Sequence, residues 1–187
     1  MVGNFRERMG FAMKNLILIG MPGSGKSTVG VLCAKALGMP FMDTDLVMQA
    51  RCGQLLQQLV DELGTEGFLY KEEECILGID YRNTVIATGG SVALEERAMA
   101  HLKKNGVVFY LRLPCEELER RLSNMATRGI AMGPGQTLRS LYDYRVPHYE
   151  KHADVILDAD GQTLEETVQA VVAAWKNYCA NLSCDLT

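Results

Sequence analysis

The chain has 187 residues, 48% of them hydrophobic and 22% charged, a composition that suits one globular domain large enough to bury a core. Its formal net charge of −4 argues against a broad nucleic-acid-binding face, and no apolar run approaches the ~20 residues that a membrane-spanning helix needs. Six cysteines (Cys33, Cys52, Cys75, Cys115, Cys179 and Cys184) form no C-x-x-C pair and read as reduced thiols of a cytoplasmic protein, several of them core filler, rather than as a disulfide framework or a zinc site.

In chain order, residues 1–13 carry no long apolar stretch and no secretory cleavage signal, and Met1, Met9 and Met13 are alternative starts. A single domain is expected over residues 14–181, with 1–13 and 182–187 as flexible termini. Leu16-Ile17-Leu18-Ile19 is a continuous apolar run of the kind buried on both faces of a parallel sheet. It leads into Gly20-Met21-Pro22-Gly23-Ser24-Gly25-Lys26-Ser27-Thr28, which fits G-x-x-x-x-G-K-[ST], the phosphate-binding P-loop. In that pattern the glycines let the backbone curl so that N–H groups converge on phosphate oxygens. The cradle is assigned to Gly23, Ser24, Gly25, Lys26, Ser27 and Thr28, with Lys26 reaching the β- and γ-phosphates of ATP and the Ser27 hydroxyl holding Mg²⁺. A helix over 27–37 follows, with Val29, Leu32, Cys33, Ala36 and Leu37 as its inward face and Gly38 as its end. Its positive end adds to the anion site, and the order strand, loop, helix separates the motif from a chance glycine-rich turn.

Four more strand-like runs follow. Residues 40–42 lead into Asp43-Thr44-Asp45, and 84–88 lead into Gly89-Gly90-Ser91; the others are 106–111 and 153–157. Helical stretches lie between them, so the expected fold is α/β. It is a P-loop NTPase fold with a five-stranded, mainly parallel sheet, helices on both faces, and a nucleoside-monophosphate-kinase-like mobile lid. Ligands of such sheets bind beyond the carboxyl ends of the strands. Those ends carry the P-loop, Asp-Thr-Asp and Gly-Gly-Ser, which are therefore expected to share one cleft.

Asp43 and Asp45 are two residues apart on an extended turn and can face one side. One suits a metal shell and the other an attacking hydroxyl; Asp45 also suits the N-cap of the helical stretch after it. Gly89 and Gly90 at a strand end permit close backbone approach to a ligand. Residues 124–135, rich in glycine and alanine, read either as a lid that brings Arg128 onto the phosphates or as a plain connector. Arg139 and Arg145 lie on a helical segment before Pro147, where a cation can grip an anionic group or simply be solvated. His148 and His152 have a spacing that can bind metal, but an exposed helix face is the expectation. A last helix over 164–179 is expected to pack on the sheet through Val168, Val171, Val172 and Trp175.

Taken together, the P-loop, Phe41-Met42-Asp43-Thr44-Asp45, Val85-Ile86-Ala87-Thr88-Gly89-Gly90, and Arg145-Val146-Pro147-His148-Tyr149 followed by Ala153-Asp154 carry a family resemblance over about 15–161. The chain resembles shikimate kinases, small P-loop enzymes that phosphorylate the 3-hydroxyl of shikimate with ATP. The resemblance implies that Asp43 supports Mg²⁺ with Ser27, that Asp45 holds substrate hydroxyls and acts as base, and that Gly89 and Gly90 give backbone contacts to the substrate. It further implies that Arg121 lies against adenine, Arg128 on the phosphates, and Arg145 on the substrate carboxylate, with a substrate-binding region over about 43–80. Three positions depart from the family. Leu69 in Gly64-Thr65-Glu66-Gly67-Phe68-Leu69-Tyr70-Lys71-Glu72 occupies the place of a second carboxylate-binding arginine, Ser91 replaces a third glycine, and Gly129 follows Arg128 where proline is usual. On a helix Leu69 shares its face with Thr65, Glu66, Glu72 and Glu73, an acidic set. The expected activity is an ATP- and Mg²⁺-dependent kinase, monomeric, acting on shikimate or a similar hydroxylated small molecule, without nucleic-acid or membrane partners. The alternatives are a same-fold kinase for a less anionic polyol, and a nucleotide-binding regulator that has lost catalysis; the intact Lys26, Ser27, Asp43 and Asp45 argue against the latter.

Overall fold

The computed structural model describes residues 14–123 and 135–184. At its centre β1 (Asn15–Ile19) pairs in parallel with β3 (Val85–Ala87) on one side and β4 (Gly106–Arg112) on the other. The strands β2 (Phe41–Asp43) and β5 (Val155–Asp158) form the edges, giving the order β2-β3-β1-β4-β5 with every pairing parallel. The apolar runs thus become strands where expected.

Side chains of successive strand residues point to opposite faces, and the core divides accordingly. Leu16 and Leu18 of β1, with Val107, Phe109 and Leu111 of β4, pack against α1 (Lys26–Leu37) and α7 (Leu164–Cys184). Ile17 and Ile19, with Val108 and Tyr110, face α4 (Glu96–Lys104), α5 (Cys115–Ser123) and α6 (Leu138–His152). A third cluster lies off the sheet: Met48 of α2 (Thr44–Cys52) packs with Leu59, Phe68 and Cys75 of α3 (Leu56–Leu77). The run of α3 is broken at Gly64, whose φ of 67° and ψ of 180° leave the helical region. Asn15 pins the start of β1: its side chain donates to the Tyr81 carbonyl at 2.6 Å and accepts from the Thr84 N–H at 3.0 Å.

Several expectations are corrected. Helix α1 begins at Lys26, and its buried face is Lys26, Val29, Gly30, Cys33 and Ala34, whereas Leu32 and Ala36 face outward. The face turns because Gly30 lets the helix close on its neighbours; a Cβ there would stand 2.7 Å from Phe41 Cε2 and 3.3 Å from Leu18 Cδ1. Helix α6 runs through Pro147, whose ring is exposed, and ends only at His152. His152 itself is buried, not on an exposed face, because the last turn of α6 leans on α4. There its carbonyl accepts from Lys103 Nζ at 2.9 Å, and burial lowers the pKa of its ring. Helix α7 packs through Val168, Val171, Val172 and Trp175 as expected, and extends to Cys184, beyond the expected helix end at 179.

Gly106 opens β4 opposite Asn15. A Cβ there would press on Ile17 Cδ1 and lie 2.9 Å from the Leu102 carbonyl oxygen, which belongs to the backbone and cannot step aside. Gly106→Ala is expected to lower unfolding free energy by about 1–3 kcal/mol, as overpacking does. Urea denaturation checks this, and an unchanged midpoint would show that the junction relaxes.

Candidate active site

The parallel sheet brings the ends of β1, β2 and β3 to one edge, and a cavity of about 390 Å³ opens there. The loop after β1 curls through three glycines with positive φ: Gly20 (144°), Gly23 (83°) and Gly25 (93°). At Gly20 a Cβ would lie 2.8 Å from the Leu111 carbonyl oxygen, so glycine is required by space as well as by conformation. Gly25 is the N-cap of α1 and has no side chain to offer, which leaves the first-turn amides to a ligand. Lys26 is buried and folds back over the loop, with Nζ donating to the carbonyls of Gly20 at 2.8 Å and Met21 at 2.9 Å. Pro22, Gly23, Gly25, Lys26 and Ser27 line the cavity; Ser24 is buried behind it, and Thr28 is exposed.

The N-cap of α2 is Asp43, not Asp45. Asp43 Oδ1 accepts from the N–H groups of Asp45 at 2.9 Å and Leu46 at 3.4 Å. The reason is positional: β2 ends at Asp43 in an extended conformation, and Asp45 already sits in the first turn. Both carboxylates line the cavity. Thr44 between them accepts at Oγ1 from the Gly89 N–H at 3.0 Å, while the Thr88 hydroxyl donates to the Leu18 carbonyl at 3.0 Å. These two bonds tie the exits of β2 and β3 to each other and to β1.

Gly89 and Gly90 run close against their surroundings. A Cβ on Gly89 would collide with Glu72 Oε1 and stand 2.8 Å from Asp45 Oδ1; one on Gly90 would stand 2.7 Å from Pro22 Cδ and 3.2 Å from Arg145 Nη1. Arg145 on α6 is only 2% exposed, and Tyr149, one turn on, donates from Oη to the Gly90 carbonyl at 2.5 Å. Arg121 near the end of α5 is held by Glu117, its Nε donating to Oε1 at 2.7 Å, with Nη1 4.0 Å from the Cβ position of Gly25. That pairing, shared with Arg120, pulls the Glu117 carboxyl down to about 2. Arg139 instead pairs with Glu116 and stacks near Tyr142, outside the cavity. Residues 124–134 of the expected lid, Arg128 among them, lie outside the described residues.

Sequence reasoning missed three contributors. Glu72 was visible only as part of an acidic helix face, yet it is buried beside Asp45 and Arg145. Burial pushes its carboxyl up to about 8; a hydrogen bond from Ser91 pulls the other way, and the charge of Asp45 pushes it further up. Tyr149 carries no sequence signal of its own beyond the motif it completes. The outer wall, made by Leu46, Gln49, Leu55, Leu56 and Gln57, has no sequence signal beyond helical spacing.

The sequence profile of the family described as "Shikimate kinase" matches residues 22–176. The chain belongs to the shikimate kinase family. It is 37% identical over 167 residues to the shikimate kinase of Thermodesulfovibrio yellowstonii, covering 88% of this chain and 96% of that one. It is 33% identical over 168 residues to human threonine synthase-like 1, covering 88% of this chain but 23% of that protein. Its fold matches a shikimate kinase from Acinetobacter baumannii in complex with shikimate, with a TM-score of 0.80 at 26% identity over 89% of this chain and 94% of that one. Family membership makes the chain an ATP-dependent phosphotransferase that acts on a hydroxyl of a small molecule.

Two outcomes follow from the packing around Glu72. Gly89→Ala, whose new methyl group displaces both carboxyl groups, is expected to raise the acceptor KM by at least about tenfold while leaving nucleotide affinity unchanged. Equilibrium binding of a fluorescent ADP analogue alongside steady-state kinetics separates the two effects. The second outcome concerns stability. The Glu72 carboxyl is raised from 4.5 to about 8 on folding, so its contribution favours the folded state fully below pH 4.5 and is lost as pH rises toward 8. Glu72→Gln, which cannot ionise, should therefore gain in Tm relative to the parent between pH 5 and pH 8. A constant difference across that range would mean Glu72 ionises normally.

Proposed function

We propose that the chain transfers the γ-phosphoryl group of ATP to a hydroxyl of shikimate or a close hydroxylated analogue. The observation that carries this reading is the convergence of the P-loop, the Asp43–Asp45 turn and the Gly89–Gly90 strand end on one cavity, in a chain of this family. Phosphoryl transfer demands little covalent work from a protein; it demands accurate placement and neutralisation of charge. The loop amides and Lys26 take the phosphates, with Lys26 exchanging its carbonyl partners for phosphate oxygens. Arg121 beside Gly25 takes the adenine side, and Arg128 is assigned to the phosphates.

A divalent cation fits the donor set. Ser27 offers a hydroxyl oxygen, and Asp43 offers the carboxylate oxygen that takes no part in capping α2, the oxygen-only set that Mg²⁺ prefers. When bound there Mg²⁺ supplies charge neutralisation at the phosphates. Asp45 faces the acceptor: it orients the attacking hydroxyl and accepts its proton, while Gly89 and Gly90 present backbone to the acceptor and Arg145 holds its polar end.

The test is a coupled ADP-release assay with shikimate. Lys26→Ala and Asp43→Ala are each expected to lower kcat by at least about a hundredfold with circular dichroism unchanged, the scale of losing a positioned charge in a closed site. Parent-like turnover in either folded variant refutes the assignment.

A further inference from the structure

We propose that residues 1–13 fold back over the outside of the helical layer formed by α1 and α7 and seat Val2, Phe5 and Met9 in an apolar groove between these two helices. The groove shares no lining residue with the active-site cavity. Two sets of observations carry the proposal, one on the groove and one on the segment.

A cavity of about 620 Å³ opens between the second half of α1 and the first turns of α7. Leu32 and Ala36 line it from α1, and Leu164 and Val168 from α7; Lys35 and Glu165, both exposed, add one charge of each sign. Leu32 is 36% exposed, Leu164 46%, and Val31 beside them 47%. Leu32 and Ala36 are the residues left outward when the inner face of α1 settles on Val29, Gly30, Cys33 and Ala34. From Val29 to Leu37 the helix carries a single charge, Lys35. A helix that is apolar all round is normally covered all round. The sheet covers the inner side of α1, and α7 flanks it where the Cys33 thiol meets the Val168 carbonyl at 3.9 Å. Among the described residues its outer side stays exposed.

The path of the chain brings residues 1–13 to this face. Helix α1 runs back along β1, so its last turn stands at the end of the sheet where β1 begins. Pro40, just past that turn, accepts at its carbonyl from the N–H of Val85, the register partner of Leu16. Lys14 therefore enters the sheet level with the C-terminus of α1. An extended chain covers roughly 3.3 Å per residue, so residues 10–13 can span about 13 Å, enough to pass over a helix about 10–12 Å across. Beyond that link Val2, Phe5 and Met9 recur at i, i+3 and i+7, the anchor spacing of an amphipathic helix laid in an apolar groove, and Gly10 supplies a stop. At about 100° per residue Arg6 and Arg8 flank that stripe and Glu7 lies opposite it. The flanking arginines match the acidic first turn of α7, Glu165 and Glu166. A second copy of the chain fits less well. A stable interface buries about 800 Å² on each partner, whereas this is a slot between two helices with Lys35, Glu165 and Gln169 among its walls. A tethered segment needs no such area, because a short link holds it near the groove at an effective concentration in the millimolar range.

The experiment uses the full chain and a chain that starts at Met13, each with and without Leu32→Glu, which places a charge in the groove at an exposed position. The dye 8-anilinonaphthalene-1-sulfonate reports open apolar surface. Its emission is expected to rise at least about threefold when residues 1–12 are removed, and Leu32→Glu should abolish that rise. Position is read directly in the full chain by pairing Phe5→Cys with Ala36→Cys under mild oxidation. Peptide mapping should find this disulfide at least about tenfold above that of Phe5→Cys with Glu62→Cys on the exposed side of α3. This arm does not use Leu32→Glu, so it decides the case if that variant fails to fold. Equal dye emission from the full and shortened chains, or equal cross-linking to positions 36 and 62, overturns the proposal. A full chain that sediments as a dimer and becomes a monomer with Leu32→Glu would place a second copy in the groove and overturn it as well.

Discussion

The parallel pairing of β1 with β3 and β4 is the constraint on which the site depends. Parallel neighbours must all exit the sheet at the same end, so three loops distant in sequence become walls of one cavity. The pairing holds because β1 is apolar on both faces and is covered on both: Leu16 and Leu18 by one helical layer, Ile17 and Ile19 by the other. Chemistry then needs only short reaches from a rigid edge. Thr44 accepts one hydrogen bond from Gly89 and Thr88 gives two to the Leu18 carbonyl, from its hydroxyl and its N–H, and these few bonds fix how the three exits stand relative to one another.

Within that frame the two halves of the cavity are built on different physics. The nucleotide half is made of backbone, with curled glycines, exposed first-turn amides and a lysine already anchored on carbonyls. Its geometry is set largely by backbone conformation, with side chains such as Tyr149 and Leu122 packed against the loop. The other half, proposed for the acceptor, is backed by side chains drawn from α2, α3 and α6, with Asp45, Glu72, Arg145 and Tyr149 packed against the Gly89–Gly90 backbone. There each group sets the charge and hydrogen bonding of the next, and one changed residue alters what the site recognises.

This division also decides what could be read from sequence. The strands and the phosphate loop were legible because they depend on local patterns: a continuous apolar run, a glycine spacing, a lysine at a fixed offset. Asp43 and Asp45 were legible as a pair, but which of them caps α2 depended on where β2 stops. The inward face of α1 was misread because Gly30 turns the helix toward Phe41, a contact between elements that no periodicity reports. Glu72 looked like one more acidic residue on a helix. Its burial comes from the packing of α3 beneath the exit of β3, a tertiary fact. Tyr149 reaches Gly90 across 59 positions of chain, beyond any local signal.

The small cluster of Met48, Leu59, Phe68 and Cys75 belongs to neither layer of the main core. This segment, attached at the Asp43 cap and broken at Gly64, has an apolar nucleus of its own and joins the main core through Ile76 of α3, so part of its stability is local. That autonomy uncouples innovation from robustness. Residues of α2 and α3 on this side nucleus can change while β1 and its loop keep the packing of the two main layers, which separates variation at the proposed acceptor wall from the integrity of the sheet.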